Sequence, residues 1–362
     1  MKRVCLVDFD MSKTGGVEKV TEVLANALSE MYEVHVISIQ YINGKTKYKF
    51  NEHVKFITFR DTCERLHKVP WKIFRTFRSY LKKNQIDVAL LMGNYSACSS
   101  LLVQKTVKTK FVYCDHGALR NQWKDKTITA IRLLSSICSD KVVALTEVTR
   151  EDYTKCFKIS RRKVSCIYNW IDDDLVKKDD IYKCNSQKII TVGRFGHEKG
   201  YDMLVKVAEK VLPEHPMWTW DIYGDGECYK EISESIINRG LDNQLILKGD
   251  VNNITDLYSE YAFLVLTSYR EGLPLVLLEA KASKLPLISF DIATGPSEII
   301  RNNIDGILVE PYDIDKMADA INKLIKDETL RKEMSKNSRG NIEKFRKENI
   351  LKQWIELVNS LV

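Results

Sequence analysis

Short apolar, β-branched runs alternate with amphipathic helical runs along the whole chain, and the alternation stops once and then restarts. Arg3–Phe9 reads as a buried strand, and Val17, Val20, Leu24, Ala27 and Leu28 follow at helical spacing. Val34–Ile39, Val54–Phe59, Ile86–Met92, Lys110–Cys114 and Lys141–Leu145 read as further strands, with a helix over 70–83 and helical stretches between the others. The pattern breaks over 171–186, a charge-dense stretch holding Asp172-Asp173-Asp174 and Lys177-Lys178-Asp179-Asp180, which reads as a linker. It resumes with strands at Lys188–Val192, Trp218–Tyr223, Leu245–Leu247, Phe263–Leu266 and Leu287–Phe290, and ends in an amphipathic helix over 347–362. Strand–helix alternation implies parallel sheets with helices on both faces. The expectation is two open α/β domains, 1–170 and 187–345, with a terminal segment 346–362. Such sheets bind ligands at the carboxyl ends of their strands, and paired domains also bind them in the cleft between.

Composition narrows the function. At 44% hydrophobic and 29% charged, a chain of 362 residues can bury a sizeable core. No run approaches the ~20 apolar residues of a membrane span, and the acidic N-terminus Met-Lys-Arg-Val-Cys-Leu-Val-Asp-Phe-Asp lacks a signal-peptide core. Nine scattered cysteines without a C-x-x-C argue against a disulfide framework or zinc ribbon and suit a reducing cytoplasm. The charge is lopsided. Residues 1–170 carry 30 Lys and Arg against 16 Asp and Glu, a net of +14, and the remainder carries −7. That asymmetry points to an anionic partner or to solvated surface charge.

The motifs stand at predicted strand ends. Thr14-Gly15-Gly16 follows the first strand and opens a helix, where a backbone free of side chains approaches a ligand and the helix N-terminus favours an anion. It is not the dinucleotide fingerprint G-x-G-x-x-G. Gly193-Arg194-Phe195-Gly196-His197-Glu198-Lys199-Gly200 follows the first strand of the second half; its Arg194 and Lys199 beside free backbone N–H groups have the makings of a diphosphate clamp, which the place at a ligand-binding strand end favours over a pair of solvated cations. Tyr223-Gly224-Asp225-Gly226 marks a tight turn. In Glu271-Gly272-Leu273-Pro274-Leu275-Val276-Leu277-Leu278-Glu279, Pro274 suits a first helical position and the amides of 272–275 face an anion. Two carboxylates beside a dianion would repel it; they make sense if they accept hydrogen bonds from neutral sugar hydroxyls on either side of the phosphates, although Glu279 taken alone reads as an ordinary exposed helix glutamate.

In order and spacing these motifs, with Gly295-Pro296-Ser297-Glu298 and Asp305-Gly306-Ile307-Leu308-Val309, resemble the retaining glycosyltransferases of family 4, densely over 188–311 and more sparsely before. The resemblance implies the GT-B fold: two Rossmann-like α/β/α domains facing across a cleft, the N-terminal one on the acceptor side and the C-terminal one binding nucleotide sugar, with the last helix crossing back through Trp354. It implies that Arg194 and Lys199 hold the donor diphosphate, Glu279 the ribose and Glu271 the transferred sugar, near the amides of Gly272, Leu273 and Leu275. Gly15 and Gly16, and Gly224, would line the donor site, and His116 in Cys114-Asp115-His116-Gly117 matches the family histidine that contacts the sugar. The implied reaction moves a hexosyl or N-acetylhexosaminyl group, by default from a UDP-sugar, to a glycan or lipid-linked acceptor in bacterial surface polysaccharide synthesis, with retention. The donor is a substrate and no cofactor is expected.

Fixed cations offset the charge developing on the departing diphosphate, so no metal is expected. Asp8-Phe9-Asp10 has the D-x-D form of a metal site but lies at the end of the first strand, the context of a strand-end turn. Residues 65–83 carry seven Lys or Arg and no acid, with a stripe of Trp71, Phe74, Phe77 and Leu81 that covers the sheet and leaves the cations outward. They suit the inner face of an anionic membrane; no nucleic-acid motif accompanies them. The other readings are a nucleotide-sugar epimerase on a similar fold, which the two-Glu motif opposes, and a non-catalytic nucleotide-sugar-binding partner, which the intact Glu271, Glu279, Arg194 and Lys199 oppose.

Overall fold

A computed structural model describes residues 1–13, 15–42, 44–63, 68–178, 182–251 and 253–362, with the Asn121 side chain left aside. Thr14, residues 65–67 of the basic stretch and 179–181 of the expected linker lie outside the described residues. The chain divides into two compact units, Met1–Asn169 with Ile350–Val362, and Trp170–Asn349. In the first, seven strands, β1 (Arg3–Asp10), β2 (Glu33–Gln40), β3 (Lys55–Thr58), β4 (Val88–Met92), β5 (Lys110–Asp115), β6 (Lys141–Ala144) and β7 (Val164–Cys166), form one sheet in the order β3-β2-β1-β4-β5-β6-β7. In the second, β8 (Lys188–Val192), β9 (Thr219–Tyr223), β10 (Leu245–Gly249), β11 (Phe263–Leu266), β12 (Leu287–Phe290) and β13 (Gly306–Val309) run in the order β10-β9-β8-β11-β12-β13. Every pairing is parallel. The central strands are buried on both faces: β4 has no exposed residue because helices cover it front and back.

Both sheets reverse their winding beside their first strand, between β1 and β4 and between β8 and β11. These are the switch points at which the loops leaving adjacent strands part and open a crevice. Two strands were not anticipated, β7 and β13, whose three and four residues are too short to show a periodicity. The stretch 171–186 carries a short helix, Asp173–Lys177, capped by the Asp172 carboxylate, which accepts from the Asp174 N–H at 3.0 Å. It is docked on the second unit: the Arg339 guanidinium donates to the Lys178 carbonyl at 2.9 Å, and the Tyr182 hydroxyl to that of Ala262 at 2.5 Å.

The last helix, Lys347–Asn359, buries Ile350, Trp354, Leu357 and Val358. Its end is tied into the first unit, since Asn359 Oδ1 accepts from Lys2 Nζ at 2.9 Å and from the Tyr32 hydroxyl at 3.2 Å. The helix Val69–Lys83 corrects the stripe expected there. Val69, Pro70, Ile73, Phe77 and Leu81 are buried and Phe74 is half-buried, but Trp71 is 74% exposed. Two residues before Ile73 it falls on the opposite side of a 3.6-residue turn, on the face that carries Arg75, Arg78 and Lys82.

Candidate donor site in the second unit

The loops after β8 and β11 carry the charged residues of the site. After β8 the chain turns at Gly193, whose N–H donates to the Tyr223 carbonyl at 3.0 Å, and Phe195 N–H donates to the Asp225 carbonyl at 3.0 Å. This close approach depends on Gly224: it has φ +137°, and a Cβ there would collide with the Gly193 carbonyl. Gly200, at φ +65°, caps the helix Tyr201–Val211 in the left-handed region, with its α-carbon against the Thr267 carbonyl. The β8 and β11 loops are thereby held together, and Tyr269 N–H donates to the Glu198 carbonyl at 2.9 Å.

Lys199 Nζ lies 2.7 Å from Glu271 Oε1, which also accepts from Ser268 Oγ at 2.6 Å. Both partners of the ion pair are largely buried, with 22% and 9% of their side chains exposed. Arg194 donates to Glu198 Oε1 at 2.8 Å and keeps 55% of its side chain exposed. Burial pushes the Glu198 carboxyl up, but the bonded Arg194 guanidinium, the residue's own N–H and the charges of Arg194 and Lys199 hold it below its usual range. The backbone beyond Glu271 is anchored as well. The Thr294 hydroxyl donates to the Glu271 carbonyl at 2.7 Å, and Gly295 leaves only 2.8 Å between a hypothetical Cβ and both the Gly272 carbonyl and Pro274 Cδ.

The helix after this turn is Leu275–Ala282, and Pro274 stands at its N-cap in an extended conformation, ψ 113°. It was expected one position later, as the first helical residue. Its carbonyl accepts from the Leu277 N–H at 3.1 Å, so its ring meets the helix without breaking it. The N–H groups at the start of this first turn have no i−4 carbonyl inside the helix; Leu278 N–H reaches the Pro274 carbonyl at 3.4 Å. Leu273 is buried and holds the turn down, while Gly272 and Leu275 stay half-buried. One turn into the helix, Glu279 Oε2 accepts from the Tyr258 hydroxyl at 3.1 Å. The site therefore sets two cations, two carboxylates and a helix N-terminus at the carboxyl ends of β8 and β11, the chemistry of a diphosphate flanked by hydroxyls.

In the first unit Gly15 has an extended backbone, φ −170°, and its N–H and carbonyl both bond the Tyr48 hydroxyl, at 3.0 and 3.1 Å. Gly16 opens the helix Gly16–Leu28, and a Cβ there would meet nothing within 4 Å. His116 follows β5. Its neighbour Asp115 is fully buried and accepts from Gly117 N–H at 3.0 Å and the Tyr153 hydroxyl at 2.7 Å, with Arg132 Nε at 3.2 Å. Arg132 also donates to the Ala118 carbonyl at 3.1 Å, so the turn carrying the histidine is fixed from inside. His116 Nε2 is buried without a hydrogen-bonding partner among the described residues, and burial pushes the imidazole down to about 4 against the charge of Asp115. In Asp8-Phe9-Asp10, three of the four Asp8 and Asp10 carboxylate oxygens accept hydrogen bonds from nearby groups, and Asp10 Oδ2 is buried without a hydrogen-bond partner among the described residues. Asp8 accepts from Thr21 Oγ1 at 2.9 Å and Asp10 N–H at 3.1 Å, and Asp10 from Ser12 Oγ at 2.5 Å. Among the described residues no group of three His, Cys, Asp or Glu could hold a metal ion.

Two family models divide the chain between them: Glycosyltransferase Family 4 matches 14–175, and Glycosyl transferases group 1 matches 176–341. The chain belongs to the family 4 glycosyltransferases. It is 28% identical to the amylovoran biosynthesis glycosyltransferase AmsD of Erwinia amylovora, over 99% of both chains. It is 27% identical, over 95% of both, to an N-acetyl-D-galactosaminyltransferase of Campylobacter jejuni named for a diNAcBac-PP-undecaprenol acceptor. In fold it superposes on a TarM mutant of S. aureus, crystallised with Fondaparinux, alpha-GlcNAc-glycerol and UDP, with a TM-score of 0.84 at 17% identity, covering 99% of this chain and 100% of that one. Its two parallel-sheet units have the Rossmann-like architecture of GT-B glycosyltransferases.

This glycosyltransferase thus holds Arg194, Lys199, Gly224, Glu271, Gly272, Leu273, Leu275 and Glu279 in one unit and Gly15, Gly16 and His116 in the other. Sequence reasoning missed Ser268, Thr294 and Tyr258. Ser268 stands three residues before Glu271 and was legible as a neighbour; Tyr258 and Thr294 lie 21 and 23 residues from the groups they bond, and no local pattern marks them.

Proposed function

We propose that this glycosyltransferase takes its sugar, a hexosyl or N-acetylhexosaminyl group, from a UDP-sugar and transfers it with retention, without a metal, to a hydroxyl of a glycan or lipid-linked acceptor in surface polysaccharide synthesis. The observation that carries this reading is the Lys199–Glu271 pair at the β8/β11 switch point, 2.7 Å apart beside Arg194 and the N-terminus of Leu275–Ala282. The diphosphate is the natural occupant of the two cations and the first-turn N–H groups, and Glu271 then turns to a hydroxyl of the transferred sugar. Glu279, one helical turn on, takes the ribose. As the glycosidic bond breaks, Arg194 and Lys199 stabilise the leaving diphosphate. The departing phosphate oxygen accepts the acceptor proton on the same face, which keeps the configuration without an enzymic nucleophile. His116, neutral at physiological pH, contacts the transferred sugar as an uncharged hydrogen-bonding group, and Gly15 and Gly16 approach the phosphates.

The relatives support this assignment in kind. The C. jejuni enzyme is named for a polyprenyl-diphosphate-linked acceptor, and the TarM fold neighbour was crystallised with UDP. A lipid-linked acceptor fits the first unit, whose helix Val69–Lys83 turns Trp71, Arg75, Arg78 and Lys82 outward. No helix among the described residues is long and apolar enough to cross a membrane, so attachment to the inner face would be peripheral. A thermal-shift panel of nucleotide sugars, followed by mass spectrometry of donor plus membrane extract in excess EDTA, tests the reading. Stabilisation by one UDP-sugar and a metal-independent glycosylated product support it; an epimerised donor, a strict metal requirement or no product overturns it. At a hundredfold excess over Kd the matching donor adds ~2.7 kcal/mol.

A further inference from the structure

Tyr258 is completely buried, in the one-turn helix Tyr258–Glu260 just before β11. Its hydroxyl is aimed at Glu279 Oε2, 3.1 Å away on the helix Leu275–Ala282. A buried phenol needs an acceptor, and an oriented carboxylate is a strong one. Burial, then the charge of Glu279 and the hydrogen bond to it, hold the hydroxyl protonated far above its ordinary range, so it stays a donor. The backbone beneath Glu279 is locked separately. Two residues on, Lys281 Nζ meets Asp305 Oδ2 at 2.7 Å with both side chains fully buried, and Arg301 Nε reaches the same oxygen at 2.7 Å.

A hydrogen bond from a fixed, buried donor narrows the rotamers of a glutamate on a half-exposed helix face, and each rotamer lost on binding weakens the contact it makes. The Tyr258 hydroxyl supplies such a bond before the ligand arrives. We propose that Tyr258 is a positioning residue of the donor site, whose buried hydroxyl orients the Glu279 carboxylate toward the vicinal hydroxyls of the nucleotide ribose. The inference rests on the reading of Glu279 as the ribose contact.

Calorimetric titration of the full chain with UDP and with 2′,3′-dideoxy-UDP tests it, in wild type, Tyr258→Phe and Glu279→Ala. Phenylalanine fills the same buried space, so the variant keeps its packing and loses one hydrogen bond. The expected result is a wild-type preference for UDP, its collapse in Glu279→Ala, and a fall of roughly tenfold in UDP affinity in Tyr258→Phe with dideoxy affinity unchanged. A Tyr258→Phe variant that keeps the wild-type ratio while Glu279→Ala loses it overturns the positioning role and leaves the donor site standing. Equal weakening of both ligands by Tyr258→Phe overturns it too, because the hydroxyl would then support the pocket as a whole. A Glu279→Ala variant that keeps the preference, or a wild type that binds neither ligand, strikes the donor-site reading itself and the inference with it.

Discussion

Lys199 and Glu271 neutralise each other across 2.7 Å, joining the loops after β8 and β11. On the proposed reading the same lysine meets the donor diphosphate. On that reading the diphosphate replaces Glu271 as the anion at Lys199 and frees the Glu271 carboxylate for a sugar hydroxyl. The pair explains how a carboxylate and a cation of opposite assignments share a small, largely buried space.

Glu271→Gln keeps the shape of the side chain and removes its charge. We expect transfer to fall by at least ~10²-fold, the scale of one lost transition-state contact, while UDP binds at least as tightly because Lys199 loses its competing anion. Steady-state rates and calorimetry check both halves, and near-normal turnover refutes the assignment.

Arg194→Ala combined with Lys199→Ala should cost far more rate than loss of any exposed lysine, about 10²–10³ for each donor to a developing anion. The two act on one charge, so the losses should not add. UDP affinity should fall as well; an unchanged Kd would place these cations outside the donor site.

His116 carries a pH signature. Its folded pKa lies below the ordinary value, at about 4, so between roughly pH 6.5 and 4 the unfolded chain binds more protons. The stability that goes with the neutral imidazole is present above pH 6.5 and is lost as the pH falls through that window. The stability to denaturant should therefore drop more steeply in wild type than in His116→Gln between pH 7 and 4, by up to ~3 kcal/mol. Parallel curves for the two proteins would contradict a half-buried histidine kept neutral by desolvation.

Charge reversal of Lys72, Arg75, Lys82 and Lys83 to Glu should release the protein from anionic vesicles and leave UDP binding intact. Each cation near an anionic leaflet contributes ~1 kcal/mol, and these side chains lie in the unit that does not hold Arg194, Lys199, Glu271 and Glu279. Flotation of wild type should also weaken with salt, as the Debye length shortens from ~10 Å at 0.1 M to ~3 Å at 1 M. Failure of wild type to float at low salt rules the membrane contact out.

Strand and helix identity followed from sequence where an element was long and periodic. Lys188–Val192, Phe263–Leu266 and Leu287–Phe290 have the expected bounds, since strands covered on both faces read as largely apolar, β-branched runs. The glycines were legible for the same local reason: Gly200 and Gly224 occupy backbone angles and contacts that other residues resist. The motif residues Arg194, Lys199, Glu271 and Glu279 could be named because their types and spacing are written in the chain.

Their partners could not. Which oxygen of Glu271 meets Lys199, that Tyr258 holds Glu279, and that Arg132 steadies the turn of His116 through Asp115 depend on where crossovers bring residues far apart in sequence. The short strand β13, the docked helix Asp173–Lys177 and the outward Trp71 belong with them. Local composition determines what a segment can become, because propensity and periodicity act over a few residues. Contact energy is decided by packing, and only the closed sheet sets which carboxylate lies beside which cation.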